Sequence, residues 1–314
     1  MSVPTELCPS TKDIMRIHAA PIGILCLTAL LAVAGCQVSR TDSENSALAP
    51  ITIATLPLGD DPTTANPIES LGELIEKETG RKVEIVDVPD YLSVVEAIRS
   101  EHVDIGFMSG FPSALAVNTG DVDALVAWEG NGDPVSTCVV LDDSPVQTVD
   151  DLRGKTIAFA DQASSSGYFM PVYMLHEAGL EQGKDFDSVF SGGHEGSFAA
   201  LRQGQADAAC TAIVLTQRGA PAFPFAAGEW RAIGESPSMP VMATVLARQS
   251  LDEPTRLSLQ EALPKVFAEE NREALGAMAS GTVGHTMIAD PDPKVFGPFV
   301  DIAAVAGVDL GDLK

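Results

Sequence analysis

The chain has 314 residues, 45% of them hydrophobic but only 5% aromatic, with a formal net charge of −25 and a pI near 4.3. That length leaves room for two lobes with separate cores, and the aliphatic-rich composition excludes a disordered chain. The acidic balance, with no basic cluster to reverse it locally, excludes nucleic acid and an anionic membrane surface as partners; a small anion is still allowed, because fields are screened over about 8 Å at physiological salt.

From Met15 the sequence "MRIHAAPIGILCLTALLAVAGC" has a basic start at Arg16, an apolar run from Ile22 to Val33 and small residues before Cys36. The run is too short to span a bilayer and reads as a secretory leader. Its ending, Val33-Ala34-Gly35-Cys36, resembles the lipobox of bacterial lipoproteins, which implies cleavage before Cys36 and lipidation of its thiol; an ordinary secretory signal cleaved nearby is the alternative. Glu6 and Asp13 are unlike a leader's first segment, so Met15 is a candidate start. Residues 1–35 are thus expected to be a signal peptide and 36–50 a polar tether that holds a domain off the membrane.

Strand and helix then alternate. "ITIATLP" is a strand, followed by a helix near 66–79, the strand "KVEIVDVP", a helix from Tyr91 to Ser100, the strand "VDIGFMS", a helix start near Phe111 and the strand "DALVAWEG". This order predicts a parallel sheet covered by helices. It restarts at Cys138 with "TIAFA", a helix opening, "SVFSGG", a helix over His194 to Gln203 and "DAACTAI". "SPSMPVMATVLARQ" gives a further strand, and helices are expected at 252–269, 271–280 and about 293–305. The expected boundaries are 51–136 with 241–314 for the first lobe and 137–240 for the second, leaving a cleft crossed twice by the chain.

A short echo links the lobes. "AIRSEHVDI" (97–105) and "ALRQGQADA" (200–208) both end a helix and turn into a strand, and Asp104 and Asp207 occupy matching places, where turn chemistry is sufficient explanation. Cys138 and Cys210 lie in apolar strand-like runs and have no partners at metal-ligand spacing, so each is either half of a disulfide or a buried small hydrophobe.

The most informative stretch is "DQASSSGYFMP" (161–171), three serines and a glycine between a strand and a helix. Pro171 fits the first helical turn, where its missing N–H has no partner to lose, and this places the helix start near Ser166 or Gly167. One serine suffices as an N-cap. Three hydroxyls with free N–H groups at the positive end of a helix suit an anion.

That stretch, followed by "FSGGHEGSFAALRQGQADAA" (190–209) and preceded by "DYLSVVEAIRSEHVDIGFMSGFPSALA" (90–116), resembles the phosphonate, phosphite and phosphate substrate-binding proteins of ABC transporters. The resemblance covers essentially the whole mature chain, with three motifs in the family's order. It implies an α/β, type II periplasmic-binding-protein-like fold, two lobes joined by a two-crossing hinge, and a monomeric, non-enzymatic receptor working with an ABC transporter permease, lipid-anchored if the lipobox reading at Cys36 holds. It implies no cofactor and no metal. Carried over residue by residue, Ser164, Ser165 and Ser166 would hold the oxyanion, His194 would donate to it, and Tyr91 would reach it from the other lobe. Taken without the resemblance, Tyr91 belongs to a core stripe with Val94, Val95 and Ile98, and His194 reads as a helix-terminal or surface histidine.

Family members that bind aminophosphonates place a carboxylate on the ammonium, but Ser236 to Val245 and the segment after Asp207 contain none. That disfavours 2-aminoethylphosphonate and favours phosphite, phosphate or an alkylphosphonate. Sulfonates and sulfate share the tetrahedral shape, and a cysteine-held soft oxyanion is a further alternative. A sensory binding protein that signals to a membrane kinase is the runner-up in role. A hydrolase is disfavoured, because the serine run has neither G-x-S-x-G nor S-x-x-K around it.

Overall fold

The alternation of apolar runs and helices forms two sheets in a computed structural model that describes residues 49–56, 66–220 and 222–308. The expected leader, Cys36 and nearly all of the tether lie outside the described residues. The strands are β1 (Ile51–Thr55), β2 (Val83–Asp87), β3 (Ile105–Ser109), β4 (Val122–Glu129), β5 (Ser136–Leu141), β6 (Thr156–Phe159), β7 (Asp187–Phe190), β8 (Ala208–Ala212), β9 (Trp230–Ile233), β10 (Val241–Arg248) and β11 (Met287–Ala289). The helices are α1 (Pro67–Thr79), α2 (Tyr91–Arg99), α3 (Gly110–Thr119), α4 (Met170–Glu177), α5 (His194–Arg202), α6 (Ile213–Thr216), α7 (Glu253–Val266), α8 (Arg272–Leu275) and α9 (Phe299–Val305).

One sheet runs β11-β4-β10-β3-β1-β2 and the other β7-β6-β8-β5-β9. The expected parallel pairing holds for β1 with β2 and β3, and for β6 with β7 and β8. Elsewhere the sheets are mixed. The chain leaves the first sheet after β4 and returns as β10, which inserts between β3 and β4 antiparallel to both. In the second sheet β5 is antiparallel to β8 and β9. The two passages between sheets are residues 130–135 and 234–240.

The sequence echo is a repeated joint. Asp104 accepts from the Thr52 backbone N–H at 2.9 Å, and Asp207 accepts from the Thr156 N–H at 2.9 Å. In return each aspartate's own N–H bonds the same partner's carbonyl, at 3.0 and 2.8 Å. Each carboxylate thus locks the incoming strand to its parallel neighbour, and ion pairs with Arg248 and Lys155 complete the two joints. Both aspartates act in the turns and not as ligands.

Beyond β10 the expected helices are shorter than the periodicity predicts. Asp252 caps α7 through the Thr255 N–H, and α7 ends at Val266. The stretch 271–280 divides at Gly276, whose φ of 53° cannot continue a helix, and 293–305 breaks at Gly297 and Pro298 before α9.

A buried aromatic group joins the lobes. Phe111 of α3 stacks on Phe169 at 3.5 Å between centroids, and Phe299 meets Phe111 edge-on at 5.6 Å. Gly110 permits the contact, since any Cβ there would run into the Val241 carbonyl of β10. Cys138 and Cys210, registered opposite each other on β5 and β8, form a disulfide. The free-cysteine alternative is thereby removed.

Candidate functional site

The three serines have three different roles. Ser164 accepts from the Gly167 N–H at 3.0 Å and is the N-cap of the turn. Ser165 is buried and turns to the other lobe, accepting from the Phe111 N–H at 2.9 Å and donating to Ser109 Oγ at 3.0 Å. Ser166 is half-buried, lines the cleft and makes no side-chain hydrogen bond among the described residues. So the capping reading holds for Ser164, and the three hydroxyls do not converge on one point.

The helix does not start as a regular α-helix at Ser166. Residues Ser165–Phe169 form one wide π turn before α4 begins at Met170. The cause is Pro171, whose missing N–H leaves the Gly167 carbonyl without its usual helical partner. That carbonyl accepts from the Ala160 N–H at 3.1 Å and ties the turn to the end of β6. Gly167 is pressed so closely there that an added Cβ would lie 3.0 Å from His194 Cε1 and 3.0 Å from Ser164 Oγ. The turn is therefore packed directly against the histidine. The Ser165 and Ser166 N–H groups stand at the helix start, where no intrahelical acceptor exists.

Tyr91 follows Asp90, which caps α2 by accepting from the Ser93 N–H at 2.7 Å. Val94 and Ile98 of the same stripe are buried, as the core reading expects, while Tyr91 stands at the cavity end of it, half-buried. Burial pushes its phenol pKa up, and its hydroxyl shares a hydrogen bond with Ser109. The result is a chain from Tyr91 through Ser109 and Ser165 to the Phe111 N–H that crosses between lobes. Ser109 was not singled out in the sequence. The available signal was its position, a serine at the N-cap of α3 that makes no side-chain cap bond. Asp161, opposite, accepts from the Ala163 N–H at 2.7 Å; burial raises its pKa, with a further contribution from the charge of Asp90.

His194 opens α5, and its Nδ1 lies 2.9 Å from the Thr211 hydroxyl, itself fully buried on β8. Nε2 is left as the ring's other polar atom in a residue that lines the cavity. Burial pushes the ring's pKa down to about 4, so it is neutral at pH 7. The folded ring titrates below its unfolded value, so its stabilising effect is complete above about pH 6.5 and is lost as the pH falls to about 4. Between pH 7 and 4 the loss of stability should be about 2 to 3 kcal/mol smaller in His194→Gln than in the parent, read from urea midpoints. Equal losses would show that the ring is not desolvated.

Tyr91, Ser165, Ser166 and His194 meet at one cavity of about 580 Å3, which Ser109 also lines; Ser164 does not line it. The wall includes no lysine or arginine among the described residues. The histidines on the wall are His194 and His285. Two carboxylates were missed: Asp133 and Glu235 line the cavity from the two crossing segments, Glu235 one residue before the stretch read as lacking an acid. That overturns the premise of an acid-free cleft. Both are solvent-exposed, where an ion pair with an ammonium contributes about 1 kcal/mol or less. Among the described residues no group of three or more His, Cys, Asp or Glu side chains is placed to hold a metal, and no helix is long and apolar enough to cross a membrane.

A family described as "ABC transporter, phosphonate, periplasmic substrate-binding protein" matches residues 53–291. The phosphate-import protein PhnD of Mycolicibacterium smegmatis is 30% identical over 171 residues, 50% of this chain and 53% of that protein. The phosphonates-binding periplasmic protein of Escherichia coli is 29% identical over 189 residues, 58% of this chain and 56% of that protein. The chain spans about half the length of these curated relatives. Among solved structures, PhnD1 of Prochlorococcus marinus in complex with methylphosphonate superposes with a TM-score of 0.65 at 17% identity, covering 81% of this chain and 97% of that one. A binding-protein component of an ABC phosphonate transporter from Pseudomonas aeruginosa gives 0.64 at 17% identity, covering 82% and 87%. The shared architecture is the two-lobe, type II periplasmic-binding-protein fold.

Proposed function

The chain belongs to the family of periplasmic substrate-binding proteins of phosphonate ABC transporters, and from that premise we propose that it is a lipid-anchored, monomeric receptor that captures a phosphorus oxyanion between its lobes for a permease. The anchor rests on the lipobox-like ending at Cys36. The ligand class is phosphite, phosphate or an alkylphosphonate, since the carboxylates on the cavity wall are too exposed to require a cationic ligand. Proteins of this family bind and do not turn over their ligands, and no carboxylate backs His194, whose Nδ1 is paired with Thr211 instead.

The observation that carries the reading is the free Ser166 hydroxyl, at a helix start packed on His194 and facing the same cavity as Tyr91 of the other lobe. In this site Ser166 would donate its hydroxyl and backbone N–H to one oxygen. Neutral His194 would donate from Nε2 in the tautomer whose Nδ1 accepts from the Thr211 hydroxyl, 2.9 Å away. Tyr91 would close from the first lobe, so that the ligand contacts both lobes and favours the closed state.

A thermal-shift panel with phosphite, phosphate, methylphosphonate, 2-aminoethylphosphonate, sulfate and taurine tests it. A ligand at a hundred times its Kd adds about 2.7 kcal/mol, or about 4 to 5 °C for a chain of this size. The expected result is a shift with a phosphorus oxyanion. A shift confined to sulfate or taurine, or none at all, would reject the proposal.

A further inference from the structure

Resting on the oxyanion reading, we infer that the ligand's phosphorus headgroup carries an apolar arm of about four to eight carbons, as an organophosphonate or a phosphate monoester, lodged against a methionine-rich wall of the same cavity. The first observation is size. A bare phosphorus oxyanion has about five heavy atoms, and at a liquid-water share of about 30 Å3 each it fills roughly a quarter of the 580 Å3 available. The second is chemistry. Away from the serine turn Phe107, Ile213, Leu215, Met239, Met242 and Met278 line the cavity beside the polar Thr55, Asn131, Gln217 and His285, and this apolar part of the wall offers a hydrated ion nothing to bond.

The four methionines on the wall come from separate places: Met108 from β3, Met239 from the second crossing, Met242 from β10 and Met278 from the turn after α8. They converge on one cavity although each belongs to a different local structure. Unbranched thioether side chains fit apolar groups of varied shape, so this wall suits a flexible arm better than one rigid ring. The arm's far end is uncharged or cationic, because Asp133 and Glu235 at the crossings would repel a second anion.

Calorimetric titration of the purified protein with phosphate, phosphite and methyl-, butyl-, hexyl- and octylphosphonate tests the inference, with hexyl phosphate and hexanesulfonate as further arms. Full burial predicts about fourfold tighter binding per methylene, and partial burial about a hundredfold from methyl to hexyl. Met242→Asn, at a half-buried wall position, should weaken hexylphosphonate about tenfold and leave methylphosphonate within about twofold. Hexyl phosphate against hexylphosphonate distinguishes the ester from the carbon–phosphorus source. A flat or falling series, with methylphosphonate still bound, overturns the apolar arm while the oxyanion reading stands. Binding of hexanesulfonate alone supports the arm and rejects the phosphorus headgroup, and binding of nothing in the series rejects both.

Discussion

Ser166→Ala is expected to weaken oxyanion binding about 10- to 100-fold while the melting temperature of the free protein stays where it was. The Ser166 hydroxyl has no hydrogen-bond partner among the described residues, so removing it breaks no such bond in the unliganded state. A hydrogen bond to a charged group contributes about 1.5 to 3 kcal/mol, which sets the fold-change. Ser165→Ala should behave differently. It takes away the acceptor of the buried Phe111 N–H and the link to Ser109, at a cost of about 1 to 3 kcal/mol, so the free protein should melt several degrees lower. Its effect on binding then comes through the loosened contact between lobes and the freed Ser109 hydroxyl. Measuring Kd and melting temperature on both variants separates the roles. Equal affinity loss with equal destabilisation would mean that both serines are structural and that the oxyanion sits elsewhere.

The sequence made the turn visible but not this division of labour. Three consecutive serines before a glycine are legible as a strand-to-helix turn, and their order with the histidine and tyrosine motifs pointed to the right family. Which hydroxyl caps, which bridges and which is free depends on where the other lobe's α3 arrives, and that is set by Phe111 stacking on Phe169, 58 residues on, and by Gly110 lying against Val241 of β10. Ser109 was hidden for the same reason: as a serine before a helix it looks like an ordinary cap. The echo at Asp104 and Asp207 was legible as a helix end running into a strand, which is local, but what the carboxylates hold was not, because Thr52 and Thr156 lie 52 and 51 residues earlier in the chain. The mixed sheets were not, because β10 inserts between β3 and β4 after a long excursion that no local period encodes. Pattern also failed at α6, β9 and β11, elements of three or four residues, which are shorter than any period needs to show itself.

Removing the disulfide is expected to have the largest effect on stability. Cys138 and Cys210 are 72 residues apart, and closing a loop of that length restricts the unfolded chain by about 4 kcal/mol. Against a usual total of about 5 to 15 kcal/mol, Cys138→Ala with Cys210→Ala should lower the urea midpoint severely. The closed loop contains β6, the serine turn and all of α5, so it restricts the unfolded chain over the segment that carries Ser165, Ser166 and His194. The sulfur pair also fixes β8 one residue before Thr211, which orients His194, and just ahead of the cavity-lining Ala212–Leu215. Backbone pairing of β8 with β5 and β6 persists without the sulfurs, so the variant should keep the register of the site. It should therefore bind with an affinity within a few-fold of the parent wherever it is still folded. An unchanged urea midpoint would mean that the unfolded chain is already held compact in this region. A lost affinity in the folded variant would mean that the disulfide positions Thr211 directly. Such a bond persists in an oxidising compartment, which agrees with a receptor of the periplasmic family.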